Sequence, residues 1–329
     1  MSRRLLTLLL LAGLALTLGL SLGIGHVTFS WSEFLNAILG RGDPVLRQIL
    51  WEIRLPRALL AVLVGGGLAL SGSVFQALLR NPLAEPYILG ISGGSAAGAV
   101  LVLSLGIASL NSAFLPMAAF GGALLAILMV FRVAATADRR LDVRVLLLAG
   151  VVVGAFFGAV IALILALAEA QTVRDAVLWM MGSLSGATWE NVVVVAGYTL
   201  PSAVILMGLA RALNLLAVGE ETASYLGTNV EGIKRTAYGV ASLITAAGVA
   251  VAGIIGFVGL IVPHALRLVV GSDQRVILPL SFLAGATFLT LADLLARMVL
   301  DPTEIPIGVI TAFLGVPLFL VLLRRSLSE

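Results

Sequence analysis

The chain has no cysteine, two histidines and a single lysine, Lys234, in 329 residues. Without cysteine it holds no disulfide and no thiolate metal site, and two histidines offer little for a metal centre. His264, beside Pro263, reads as a packed structural histidine. Charge is scarce too: 11% of residues are charged and 60% apolar, where a soluble domain carries about 25% charged residues. A compact soluble chain could not bury so much apolar surface, whereas lipid solvates it. No phosphate-cradling loop of the Gly-Lys-Ser/Thr type occurs, since the one lysine follows Ile233, so the chain lacks the means by which most nucleotide-driven pumps hold phosphates. No Ser/His, His-Glu or paired-carboxylate cluster falls within one apolar run, which argues against an intramembrane enzyme and leaves no catalytic residue to assign.

What is present is a series of long uncharged runs. Residues 5–25, 58–79, 145–168 and 191–210 each match the roughly 20 residues needed to cross a hydrocarbon core. Runs 86–131 and 236–266 exceed one crossing; the first is interrupted near Gly106, the second by Gly253, Gly256, Gly259 and Pro263. With 276–292 and 305–323 the count is ten, or nine if 248–263 forms one kinked helix. The expectation is an all-α membrane protein, a polytopic bundle of about ten transmembrane helices forming one domain over 1–329. The first run is longer than a signal-peptide core and precedes no Ala-x-Ala site, so it reads as an uncleaved helix.

Basic residues favour the cytoplasmic side. With both termini inside, only Arg41, Arg47, Arg54, Arg57, Arg174 and Arg297 of the 20 Lys and Arg fall outside. The inner set includes Arg80, Arg132, Arg139, Arg140, Arg144, Arg211, Lys234 and Arg267. The pI of about 9.8 reflects this asymmetry and not nucleic-acid binding.

An ion-coupled carrier would show several intramembrane ionisable groups. Asp293 is the clear candidate, and its i, i+4 spacing to Arg297 predicts a structural salt bridge. Glycines at 90, 94 and 98, and at 150, 154 and 158, form helical stripes that allow close helix packing. The polar stretch 169–190 encloses an apolar piece, 176–186, that fits a helix lying at the membrane surface.

Two inner loops stand out. In Arg80-Asn81-Pro82-Leu83-Ala84-Glu85-Pro86, prolines four apart forbid a continuous helix and force a rigid turn. Around 212–230, Leu215, Leu216, Val218, Ala223, Tyr225 and Leu226 predict two short amphipathic helices broken at Gly219 and ended at Gly227. Such a pair covers lipid headgroups or docks into a partner protein.

Several motifs together resemble a known family. They are Ile53-Arg54-Leu55-Pro56-Arg57, Gly72 with Gln76, the 80–86 turn with Leu89-Gly90, and Leu146-Leu147-Leu148-Ala149-Gly150. Trp179-Met180-Met181-Gly182-Ser183, Gly256-Phe257-Val258-Gly259-Leu260-Ile261-Val262-Pro263-His264, and Glu304-Ile305-Pro306-Ile307-Gly308-Val309 with Thr311 and Gly315 complete the set. In this order they are similar to the FecCD-type permeases of bacterial ABC importers for ferric siderophores, haem and cobalamin.

The resemblance implies a type II importer permease of the cytoplasmic membrane that pairs with a copy of itself around the pathway. It also implies two cytoplasmic ATPase subunits, which bind ATP and Mg, and an extracytoplasmic binding protein that delivers substrate. This chain would bind no cofactor or metal. The coupling loop would use Leu215, Leu216, Gly219, Glu220, Glu221, Ala223, Leu226 and Gly227. Arg54, Arg57 and Arg297 would meet the binding protein as a basic collar, and Asn81 and Leu83 would form the cytoplasmic gate. A second gate segment, Leu141-Asp142-Val143-Arg144, departs from the cobalamin permeases by lacking their hydroxyl residues.

Overall fold

A computed structural model describes residues 3–25, 27, 29–137 and 141–328. Arg139 and Arg140, which contributed to the expected orientation, lie outside the described residues, as do His26 and Thr28 of the first polar stretch.

Among the described residues the regular structure is helix alone. In chain order the helices are α1 (Arg3–Gly23), α2 (Trp31–Ile38), α3 (Pro44–Gln48), α4 (Leu55–Leu78) and α5 (Ile91–Ser104). There follow α6 (Phe114–Ala137), α7 (Val143–Leu167), α8 (Ala170–Met180), α9 (Trp189–Gly208) and α10 (Ala210–Val218). The last five are α11 (Glu220–Tyr225), α12 (Val230–Ala252), α13 (Val258–Val270), α14 (Gln274–Met298) and α15 (Ile307–Ser328). A π-helical turn, Ile49–Arg54, joins α3 to α4. Among the described residues, seven helices are long and apolar enough to cross a membrane, and α5, α13 and residues 307–321 of α15 add three shorter apolar stretches. This is the expected ten. Gly106, at φ +69°, separates α5 from α6, and residues 253–257 separate α12 from α13, so the single kinked helix does not form.

Burial ranks the helices. In Pro44–Leu78, 89% of the most apolar stretch is buried, against 17% in Arg3–Gly23. Helix α4 is therefore the central post and α1 a peripheral one. Lipid gives helices no hydrophobic reason to associate, so close backbone approach has to supply the attraction. At Gly72 of α4 an added Cβ would lie 1.9 Å from the Gly259 carbonyl oxygen of α13, and at Gly65 it would lie 2.4 Å from that of Gly285 on α14. Of the two stripes, a Cβ added at Gly94 or Gly98 would lie 2.3 or 2.1 Å from the Gly122 or Ala118 carbonyl oxygen, so these glycines join α5 closely to α6. In the second stripe a Cβ at Gly150 would lie 2.2 Å from the Ile88 carbonyl oxygen, whereas one at Gly154 or Gly158 would meet nothing within 4 Å.

The surface helix expected at 176–186 is displaced. Helix α8 ends at Met180, and the chain after it turns inward: the Ser183 N–H donates to Ala252 O at 2.8 Å, and the N–H groups of Ile307 and Gly308 donate to Gly182 O and Met181 O. Backbone pairing with the ends of α12 and α15 overrides the amphipathic pattern.

Candidate functional site

The segment between α12 and α13 is the least ordinary part of the bundle. Gly253 sits at φ +69°, where an added Cβ would be 2.3 Å from the Trp179 carbonyl oxygen, and Phe257 takes a left-handed φ of +70°. Unwound backbone in the apolar layer must be satisfied by protein or line a cavity. Both hold here. The Tyr87 hydroxyl donates to Ile255 O and accepts from the Ile255 N–H, each at 3.1 Å, while Glu85 Oε1 accepts from the Phe257 N–H at 3.0 Å. On the other side, Ile254, Gly256 and Phe257 line an apolar cavity of about 610 Å³ with Met180, Met181 and Phe313 among its walls. No cavity could be read from the sequence, because its walls come from three separated segments.

At the expected outer end, the three arginines form the core of a buried cluster and not an exposed collar. Arg54, Arg57 and Arg297 are 5%, 8% and 6% exposed. Arg57 donates from Nε to both Asp293 oxygens at 3.0 and 3.1 Å, and from Nη1 and Nη2 to Glu304 at 2.8 and 3.0 Å. The expected Asp293–Arg297 pair forms, with Nε facing Oδ2 at 3.3 Å but out of line for a hydrogen bond. Arg297 Nη2 donates to Ser21 Oγ at 2.9 Å. Arg54 donates to the carbonyls of Leu22 and Gly23 at 2.8 and 3.1 Å and to that of Val27, with its guanidinium 4.5 Å above the Phe29 ring. Cations at the last carbonyls of α1 complement its dipole. The expectation of an accessible collar is corrected: burying guanidiniums demands partners, and carbonyls and carboxylates of this same chain supply them.

At the opposite end, the 80–86 turn closes as expected. Asn81 Oδ1 accepts from the Leu83 N–H at 2.9 Å, Arg80 adopts φ +47°, and Leu83 stays exposed. Gln76, unassigned from sequence, donates from Nε2 to Ala84 O and to the Gly259 and Leu260 carbonyls, and accepts from Arg267.

The two short helices are α10 and α11, broken at Gly219 and ended by Gly227 at φ +78°. Leu216 and Ala223 point into the chain, Leu215 is half-buried, and Glu221, Gly227 and Leu226 are exposed. The outward apolar face is Val218, Tyr225 and Leu226, with Tyr225 90% exposed. Asn214 of α10 donates to Asp273 Oδ1 and accepts from the Gln274 N–H, both at 2.8 Å. The Asn214 amide, helped by the Arg275 N–H, holds the Asp273 carboxyl below the usual carboxylate range. Among the described residues no group of three or more His, Asp or Glu could hold a metal ion.

The model of the FecCD transport family matches residues 11–325. The chain belongs to this family. It is 39% identical to the hemin transport system permease protein HmuU of Yersinia pestis, over 99% of this chain and 97% of that one. It is 40% identical to the vitamin B12 import system permease protein BtuC of Klebsiella pneumoniae, over 98% and 92%. A solved structure described as an inward-facing conformation of a metal-chelate type ABC transporter superposes with a TM-score of 0.88 at 34% identity, covering 98% of this chain and all of that one. This FecCD chain is a multi-pass membrane permease, and its all-helical fold is that of the solved metal-chelate transporter chain.

Proposed function

We propose that two copies of this chain enclose the pathway of an ATP-driven importer in a bacterial cytoplasmic membrane, both termini facing the cytoplasm. The cargo is a bulky metal chelate, of the ferric siderophore, haem or cobalamin class, delivered by an extracytoplasmic binding protein. The observation that carries the reading is the apolar cavity beside unwound backbone at 253–257, held by hydrogen bonds from Tyr87 to Ile255 and from Phe257 to Glu85. Non-helical backbone at membrane depth is tolerated where protein satisfies it or where it lines a cavity; here it does both, which supports reading the cavity as part of a pathway wall. Apolar walls read few features of a bulky cargo, so selectivity resides in the binding protein.

The chain itself hydrolyses nothing. Val218, Tyr225 and Leu226 on α10 and α11 form the apolar patch against which a cytoplasmic ATPase docks, with Glu221 beside them. The 80–86 turn and the 141–144 segment form the inner gate. The binding protein docks at the end where Arg54, Arg57 and Arg297 hold the tips of α1, α4 and α14 together, so these arginines shape the docking surface from within.

The test is reconstitution in liposomes with the cognate ATPase and binding protein. Accumulation of radio-iron siderophore, hemin or cyanocobalamin should require all three components and ATP, with two copies of this chain per complex. ATP hydrolysis by the purified chain alone, or uptake driven by an ion gradient without the ATPase, would refute the reading.

A further inference from the structure

Resting on the coupling and gate roles just proposed, we infer that Lys234 is a positioning residue that ties the ATPase-facing helix α11 to the gate segment opening α7. The only lysine of the chain is 2% exposed. Its Nζ lies 3.0 Å from Glu220 Oε2, on the first residue of α11, and 3.5 Å from Glu231 Oε1, one turn earlier on α12. The other Glu231 oxygen accepts from the Leu141 N–H at 3.2 Å, two residues ahead of α7. A single ammonium thus links three segments: α11, the start of α12 and the start of α7.

The placement is costly, because an ammonium sheds strongly held water on burial and needs carboxylates to compensate. A six-residue helix cannot hold itself in place. Helix α11 is anchored by the burial of Ala223 and by Glu220 on Lys234. A push on the exposed Tyr225 and Leu226 therefore reaches Leu141 through side chains of fixed geometry. The other gate element is reached separately: Asn214 of α10 bonds Asp273 and Gln274, Gln274 accepts from Ser73 Oγ at 3.2 Å, and Gln76 one turn on holds Ala84. The α4–α5 turn can thus respond without Lys234.

This separation makes the inference testable. The chain has no native cysteine, so single reporters can be placed without prior changes: Arg144→Cys for the α7 segment and Leu83→Cys for the α4–α5 turn, both at exposed positions. The complex with the cognate ATPase is treated with a maleimide, with and without ATP and Mg²⁺. In the parent, nucleotide should change the labelling rate at both positions by about five-fold or more, the range of ordinary allosteric coupling. Lys234→Met should abolish the change at 144 while the ATPase still co-purifies and position 83 still responds. Should Lys234→Met fail to fold, Glu231→Ala, which keeps the Glu220 pair but drops the Leu141 acceptor, should give the same selective loss. A retained response at 144 in a folded variant, equal loss at both positions, or no response at 144 in the parent overturns the inference. Failure of the ATPase to bind the parent overturns the coupling role of α10 and α11 itself.

Discussion

The buried cluster at the expected outer end makes the sharpest energetic prediction. Arg57 and Arg297 share Asp293, and Arg57 also holds Glu304, while Arg54, the third arginine of the cluster, is bound by carbonyls. Asp293→Leu raises the net charge of the site by one and takes from Arg57 and Arg297 the carboxylate they share, in a site where Asp293 was 1% exposed. Stranding a charge in this way costs about 3–5 kcal/mol. Adding Arg297→Leu restores the net charge of the parent site and keeps the two-pronged Arg57–Glu304 pair. Buried pairs replaced by apolar groups are often near neutral, and the Ser21 hydrogen bond lost with Arg297 is worth roughly 1 kcal/mol. The double variant should therefore lie within about 2 kcal/mol of the parent and be more stable than Asp293→Leu alone. Unfolding of the detergent-solubilised chain by titrated SDS, followed by tryptophan fluorescence, gives the cycle. If the two losses simply add to within about 0.5 kcal/mol, the groups do not share one charge balance and the description of the cluster is wrong.

At Gly72 an added methyl would lie 1.9 Å from the Gly259 carbonyl oxygen, so Gly72→Ala should abolish a monodisperse size-exclusion peak, while Gly239→Ala, with nothing within 4 Å, should be neutral. Tyr225→Glu with Leu226→Glu should leave thermal stability unchanged and remove ATPase co-purification, because both side chains are exposed in the single chain. A Cβ added at Gly154 would meet nothing within 4 Å inside the chain; Gly154→Leu should leave the unfolding midpoint in place and lower the mass measured by light scattering from two copies to one. The Asp273 carboxyl is held below its usual range by Asn214, so its contribution is full above the unfolded value near 3.9 and lost as pH falls through the lower folded value. Asn214→Leu should move that acid limb of the stability profile to higher pH.

The helices were legible because lipid imposes a length and an apolar composition that any run of residues displays locally. The turns at Asn81, Gly219 and Gly227 were legible for the same reason: each is decided by residues within four positions of itself. What failed was the reading of where the three outer arginines point. Asp293 and Arg297 are four residues apart and could be paired from sequence, whereas Arg57 bonds Asp293 across 236 positions and Glu304 across 247. Arg54 bonds carbonyl groups, which leave no trace in side-chain identity. A basic residue on the side disfavoured by the positive-inside bias was taken as presented to a partner, yet the same bias permits one buried against its own chain. Lys234 was overlooked for the converse reason. It lies where basic residues are common, so nothing about its position asked for an explanation until its burial was seen. For an ionisable residue in such a bundle, the loop count locates the backbone, and only the tertiary partners say whether the charge faces outward or holds helices together.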